Sequence, residues 1–378
     1  MYRKLVLIAV LLMACAIVKP AVTPTGERPA EGPPARPTQT PLPQAEAAPT
    51  DPQTEAGGYI DTHTHLDGVY KSGGALVKDY ETAAENLIAL MDQYGVAKSL
   101  LMEVPPVAYS DLLGVLQRYP DRLYLMAGGT ALNPLLQETD PSAVTLDIQT
   151  QFEQAAEEIL SAGSIGFGEM LALHLCMSKG HSYQVAPPNH PLFLLLADIT
   201  ARHDVPIDLH MEAVPEDMPT PPNLLQACDQ NPPTLSATIP PLEELLAHNR
   251  DAKIVWQHIG WDNTGHMTVD LLRQLLTTHP NLYLSLRVEE RVFVVGGSDP
   301  MPNRIVDESW QLRPEWLELI SDFPDRFMIG GDEFVGIPGR TPNRPQSFEE
   351  TWAILDQLPP DLARQVGHDN AARIYNLD

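Results

Sequence analysis

From Gly58 onward, short apolar runs alternate with longer stretches in which apolar residues recur every three or four positions. The runs are Tyr59–His63, Lys98–Met102, Leu123–Ala127, Ile165–Glu169, Pro206–His210, Lys253–His258, Leu282–Leu286 and Phe327–Gly331, each of strand length. Between them the period becomes helical. In Tyr80–Tyr94, Ala84, Leu87, Ile88 and Met91 share one face. Leu242–His248, Val269–Thr277 and residues 313–321 and 347–357 read the same way. Strand and helix in alternation predict parallel βαβ units. Eight such repeats over roughly 320 residues predict a (β/α)8 TIM barrel with insertions. An open doubly wound sheet is the rival, but the Gly-rich turn it would carry after its first strand is missing.

The first 57 residues break this pattern. Arg3 and Lys4 precede an apolar run over residues 5–18. A spanning helix needs about 20 residues, so the run predicts a secretory signal peptide over 1–18. Within it, Leu12-Met13-Ala14-Cys15 resembles a bacterial lipobox. That implies cleavage before Cys15, lipidation of Cys15 and a lipid anchor in a bacterial cell-envelope membrane, each buried methylene contributing about 0.8 kcal/mol. A plain signal peptide is the alternative. Residues 19–57 are rich in Pro, Ala, Thr, Gln and Glu. They cannot pack a core and are expected to form a disordered, semi-rigid linker. The barrel domain is then expected over residues 58–378.

Composition narrows the partners. Against 24 Lys+Arg stand 50 Asp+Glu, a formal net charge of -26. Nucleic-acid affinity comes mainly from Lys and Arg neutralising phosphates, so a nucleic-acid partner is disfavoured and a small-molecule substrate expected. The oligomeric state is left open. The cysteines are Cys15, Cys176 and Cys228, with no C-x-x-C pair for a thiolate zinc site. Cys176 and Cys228 could pair in an oxidising compartment, but three cysteines do not make a disulfide framework, and the expectation is that they stay unpaired.

The chemistry gathers at one end of the strands. The first run ends in His63 and is followed by His65, the fourth ends in Glu169, the fifth in His210 and the sixth in His258, and Asp332 follows the eighth. The C-terminal ends of barrel strands are where such barrels place their active sites. Residues i and i+2 share a face of a strand, so Asp61, His63 and His65 are expected to point together, as are Asp208, His210 and Glu212. Buried polar groups must be satisfied, and a metal satisfies several at once. Imidazole and carboxylate suit zinc, with iron, nickel or manganese also open. A bound divalent metal lowers the pKa of its water to about 7. Asp332 could ligate the metal, take the water's proton and pass it to a leaving group. Glu169 could bridge a second metal, bond the water or cap a helix. Arg287, at the end of the seventh run, could clamp a substrate carboxylate or phosphate, or lie at the surface. Trp261, close after His258, could wall the pocket, but as an isolated aromatic it reads as packing. His174, His181 and His266 are read as loop residues near the same end without a catalytic role. His190, His203, His248, His279 and His368 are read as surface or helix positions. The segments 211–241 and 288–314 are long enough to be lids or binding loops.

Five ordered pieces resemble the amidohydrolase superfamily, and more narrowly its amidohydrolase-related (amidohydrolase 2) branch. They are Tyr59-Ile-Asp-Thr-His-Thr-His65, Gly166-Phe-Gly-Glu-Met170, Asp208-Leu-His210, Gln257-His258 and Gly330-Gly-Asp332. Residues 367–375 resemble the helix that often closes these barrels. The resemblance implies a metal-dependent hydrolase with a metal on His63 and His65 and with His210 and Asp332 completing or flanking it. It implies that His258 binds a second metal or orients water or substrate. Glu169 stands where other members carry a carboxylated Lys, so one metal and two stay open. The superfamily hosts amidases, lactonases, phosphotriesterases, deaminases and a few decarboxylases, and fold does not choose among them. A nonhydrolytic decarboxylase is therefore an alternative. A tethered, inactive binding protein is another, disfavoured because every expected ligand position is filled.

Overall fold

A computed structural model describes residues 58–103, 107–177, 181–288, 301–342 and 346–377. The expected signal peptide, Cys15 and the linker lie outside the described residues, as does most of the loop after the seventh strand. Eight strands follow in order: β1 Tyr59–Asp67, β2 Val96–Met102, β3 Leu123–Gly128, β4 Phe167–His174, β5 Pro206–Met211, β6 Lys253–Ile259, β7 Leu282–Leu286 and β8 Phe327–Ile329. Each pairs in parallel with the next. Pairing of Asp61 with Ile329 returns β8 to β1 and closes the barrel. A helix follows each strand: α1 Tyr80–Tyr94, α2 Tyr109–Arg118, α3 Leu146–Ser161, α4 Pro191–His203, α5 Ile239–His248, α6 Val269–Thr278, α7 Pro314–Asp322 and α8 Gln346–Leu355. Among the described residues no helix is long and apolar enough to cross a membrane.

The helices follow from local chemistry. Asp79 caps α1 by accepting from the Thr82 N–H, and Gly95, left-handed at φ 65°, ends it. Ala83, Ala84, Leu87 and Met91 are its buried face, with Ile88 only half-buried. Thr145 and Thr268 cap α3 and α6 in the same way. Parallel strands are covered on both faces, which is why they read as apolar runs rather than as alternating ones.

Inside the barrel, Ile60, Leu100, Met102, Met126, Val255 and Met328 pack with Ile374, Tyr375 and Leu377 of the C-terminal tail. The tail residues that resemble a closing helix therefore plug the barrel. The Tyr375 hydroxyl donates to Asp208 Oδ1 at 2.6 Å. Beside it, Thr62 donates to the Ile329 carbonyl and its hydroxyl lies 3.1 Å from that of Ser285. Gly330 must be glycine, since a Cβ there would come within 2.2 Å of Ser285 Oγ.

The structure corrects several sequence expectations. Cys176 and Cys228 form a disulfide with Cα atoms 5.8 Å apart, because the segments after β4 and β5 converge at the barrel mouth. The fourth strand begins and ends later than its apolar run predicts, so Glu169 is interior to it and His174 is its last residue rather than a loop residue. The eighth strand stops at Ile329, and a separate segment, Glu333–Gly336, pairs alongside β1. Of the histidines read as surface or helix positions, His190 and His279 lie at helix ends and are buried. His190 caps α4, its Nδ1 accepting from Leu192 N–H.

Candidate metal centre

The predicted site residues converge at the mouth. His63 Nε2 lies 3.2 Å from His65 Nε2 and 3.9 Å from Glu169 Oε1. Asp332 Oδ1 lies 3.0 Å from His65 Nε2 and 3.7 Å from His63 Nε2. Glu169 Oε1 contacts His210 Nδ1 and lies 2.9 Å from His258 Nε2. Three overlapping groups offer ligand atoms within 4.8 Å of one another: His63, His258 and Asp332; His63, His65 and Glu169; and Glu169, His210 and His258. His63, Glu169 and His258 each belong to two of them. His266 joins none.

Strand irregularities aim these side chains. The pairing register shifts between Asp61 and Thr64 on β1, between Phe167 and Met170 on β4, and between Trp256 and Ile259 on β6. His63, Glu169 and His258 each lie within one of these intervals. Such breaks re-aim side chains and collect next to active sites. His258 and Asp332 adopt left-handed backbone, at φ 61° and 55°. His and Asp tolerate that region better than β-branched residues. Asp61 does not join the cluster as its shared parity predicts. Its Oδ1 accepts instead from the N–H groups of His63 and Gly331, tying β1 to the chain just before Asp332. Asn133 holds β4 on both sides of Met170, donating to the Glu169 carbonyl at 2.8 Å and accepting from Leu171 N–H at 3.0 Å. Phe334 stacks on His65 with ring centres 4.5 Å apart.

The electrostatics follow from burial and close charge. Burial pushes Glu169 up, but His210 and His258 outweigh it and hold the carboxyl well below its usual range. Burial likewise acts on Asp332, where the Arg287 guanidinium, His258 and His65 prevail and keep it ionised. Burial drives His63 well below the usual imidazole value and lowers His258. On His210 burial acts downward, but the Glu169 charge outweighs it and the net shift is upward. Glu212, just beyond the end of β5, is raised to about 7 by burial, against a hydrogen bond that its Oε1 accepts from Asn263 at 2.6 Å. Arg287 is not a surface residue. It pairs with Asp332 Oδ2 and stands 4.0 Å over the Trp261 ring, so Trp261 supports a cation rather than merely packing.

The residues fit a divalent cation. Imidazole nitrogens and carboxylate oxygens crowd one space: His63 Nε2 faces His65 Nε2, where at most one of the two can donate, both approach Asp332 Oδ1, and Glu169 Oε1 is shared among His63, His210 and His258. Protein groups do not satisfy this set, whereas nitrogen and oxygen lone pairs directed at one point are what zinc and its first-row neighbours accept.

Two histidines read as bystanders stand beside the cluster. His174 and His210 have ring centres 4.9 Å apart, and His174 Nε2 lies 3.1 Å from His181 Nε2. Burial lowers both, His174 to about 3. The apolar run Met170-Leu-Ala-Leu173 beyond Glu169 was the signal that the strand continues to His174.

A barrel closed strand to strand carries this donor set, a candidate metal site, at its C-terminal mouth and defines a (β/α)8 protein. The chain belongs to the amidohydrolase family, as its sequence motifs indicate: the amidohydrolase 2 family model matches residues 16–377. No curated protein matches the chain. Among solved structures it is similar to a probable 2-pyrone-4,6-dicarboxylic acid hydrolase from Acinetobacter baumannii with citric acid bound, at 14% identity and TM-score 0.46, covering 84% of this chain and 99% of that one. It is similar to 2,6-dihydroxybenzoate decarboxylase from Rhizobium at 14% identity and TM-score 0.47, covering 85% and 99%. It is also similar to a dihydroxybenzoic acid decarboxylase from a Polaromonas species, solved with manganese and 2-nitroresorcinol, at 14% and TM-score 0.45, covering 85% and 97%. None of these likenesses assigns a reaction to this chain.

Proposed function

We propose that the protein is a metal-dependent hydrolase acting on an amide, ester, lactone or phosphoester bond of a small molecule. The observation that carries this reading is the convergence of His63, His65, Glu169, His210, His258 and Asp332 on one space at the barrel mouth. These six would hold one or two divalent ions, zinc suiting the donor set. When bound, such an ion supplies hydroxide near neutral pH and polarises the scissile carbonyl or phosphoryl oxygen. The chain's own residues do the rest. Asp332 stays ionised beside His65 and accepts the water's proton, then returns it to the leaving group. His258, within 2.9 Å of Glu169, orients water or substrate oxygen. Arg287, held over Trp261, places a cation beside Asp332 and favours substrates carrying a carboxylate or phosphate. We further propose that the protein is exported and tethered to the cell envelope through Cys15 and the linker to residue 57.

The test is metal analysis of the purified protein followed by turnover of a panel of amides, lactones, esters and phosphotriesters, each with and without a carboxylate. Hydrolysis of at least one class, with KM raised about 10-fold or more by Arg287→Met, is expected. Release of carbon dioxide from a carboxylated substrate without hydrolysis of any panel member would replace this reading with decarboxylation. Metal-free protein after metal loading would end both.

A further inference from the structure

Beyond His174, the chain leaves the barrel and folds back on itself. Leu173 and His174 pair antiparallel with Val185 and Gln184. This hairpin is tied down twice on the far side. Cys176 is bonded to Cys228. Asn231 also brackets the Cys176 backbone, accepting from its N–H at 2.8 Å and donating to its carbonyl at 2.9 Å. A third bond from the same Asn231 amide reaches the Leu224 carbonyl at 3.0 Å. The brace thus joins the segment after β4 to the segment after β5, the strand that carries His210.

Within this brace the two histidines have their tautomers set by their partners. His174 Nδ1 lies 2.7 Å from the Ser182 carbonyl, so it carries the hydrogen and donates. His174 Nε2 is then a lone pair. His181 Nδ1 accepts from Met177 N–H at 3.3 Å, so the hydrogen of His181 is on Nε2. That hydrogen points to His174 Nε2 at 3.1 Å. Met177 N–H to His181, His181 to His174, and His174 to Ser182 thus form one continuous hydrogen-bonded chain. A metal between the two Nε2 atoms would need the His181 lone pair that Met177 already occupies. The pair is therefore read as a hydrogen-bonded unit rather than a cation site, and its inner member, His174, stands against the His210 ring.

We infer that His174 and His181 are positioning residues: a hydrogen-bonded imidazole pair, fastened by Cys176–Cys228 and Asn231, that fixes the ring of His210 for the ion it would share with Glu169 and His258. This rests on the metal reading above. Groups that orient a metal's ligands commonly change its affinity about 10- to 100-fold when removed. His65 has Phe334 stacked on it for the same purpose.

The experiment is a zinc titration of the metal-stripped full chain against a chromophoric competitor, with thermal unfolding alongside. His210→Ala identifies the equivalent that His210 holds. His181→Ala is expected to weaken that equivalent about 10-fold or more and to leave the other, and the unfolding temperature, in place. His181→Gln, whose side-chain amide can still donate to His174, is expected to recover most of the affinity. Cys228→Ser is expected to weaken the same equivalent less, because Asn231 still holds Cys176. Parent protein that binds no zinc overturns the metal reading itself. Parent protein that binds zinc while His181→Ala binds it identically, or loses both equivalents together with its fold, overturns the positioning role alone.

Discussion

The barrel holds two buried polar clusters, separated by one or two residues along the same strands. The deeper one contains Thr62 and Asp208, joined to Ser285 and to Tyr375 of the tail. The one at the mouth contains His63, His210, His258, Glu169 and Asp332. In the deeper cluster, hydroxyls meet a hydroxyl, a carbonyl and a carboxyl across strands that the sequence separates widely, and only Asp208 Oδ2 and the neighbouring Gln257 amide are left without a hydrogen-bond partner among the described residues. At the mouth, nitrogen faces nitrogen, and two carboxylates close on the same imidazoles with no hydroxyl or amide among the described residues to share the protons between them. Burying unmatched groups costs free energy, and a fold tolerates it where something outside the chain completes the set. The deeper cluster is therefore read as structure and the mouth as function, though both are buried, polar and inside one barrel.

That contrast can be broken first at Asp332. Asp332→Asn keeps the shape of the side chain but removes its charge. Turnover of whatever substrate the panel identifies is expected to fall on the order of 10³-fold, with the circular dichroism spectrum unchanged. Loss below 10-fold would remove Asp332 from the chemistry. Chelation comes next. An ion at about 1,000 times its Kd stabilises the folded state by about 4 kcal/mol, so stripping it is expected to lower the urea midpoint accordingly. A midpoint indifferent to chelator would mean that the mouth is completed by protein alone. Tyr375→Phe addresses the deeper cluster. It deprives the buried Asp208 carboxyl of a donor and is expected to cost about 1–3 kcal/mol, equally with and without metal, while kcat of the folded fraction stays at the parent value. Asp208 is already pushed well up by burial, with the Tyr375 hydrogen bond opposing, so the variant should move it further in the same direction. A kcat change larger than the stability change would show that the two clusters act as one.

Much of this arrangement was legible before any coordinates. Barrel strands covered on both faces read as apolar runs, and the C-terminal-end rule brought His63, His65, Glu169, His210, His258 and Asp332 forward together. What escaped depends on contacts between segments far apart in the chain. Cys176 and Cys228 are 52 residues apart, and only convergence of two mouth segments brings them together. Arg287 has its charge partner at the end of the neighbouring strand, which no local pattern encodes. His174 was hidden by a strand end placed at the first polar residue, Glu169, when register slip lets β4 run five residues further. Asp61 obeyed parity in sequence, but the irregularity in β1 beside it gave its carboxylate two backbone N–H groups to hold instead.

His190 extends the comparison to a histidine that is buried without serving the mouth. Its Nδ1 accepts from Leu192 N–H at the start of α4, and its Nε2 lies 2.9 Å from the Thr139 carbonyl, to which it donates. Both nitrogens are used by backbone, unlike those of His63 and His258. The cap requires a neutral ring, and burial lowers its pKa, against the Thr139 bond and Asp140. A base whose folded-state pKa lies below its unfolded value of about 6.5 contributes stability above that pH and loses it as pH falls through the interval toward the folded value. His190→Ala is therefore expected to cost about 1 kcal/mol at pH 8, the usual worth of an N-cap, and measurably less at pH 5. Urea unfolding of parent and variant at the two pH values reads this difference directly, and a cost that is equal at both would mean that protonation of the ring does not oppose folding.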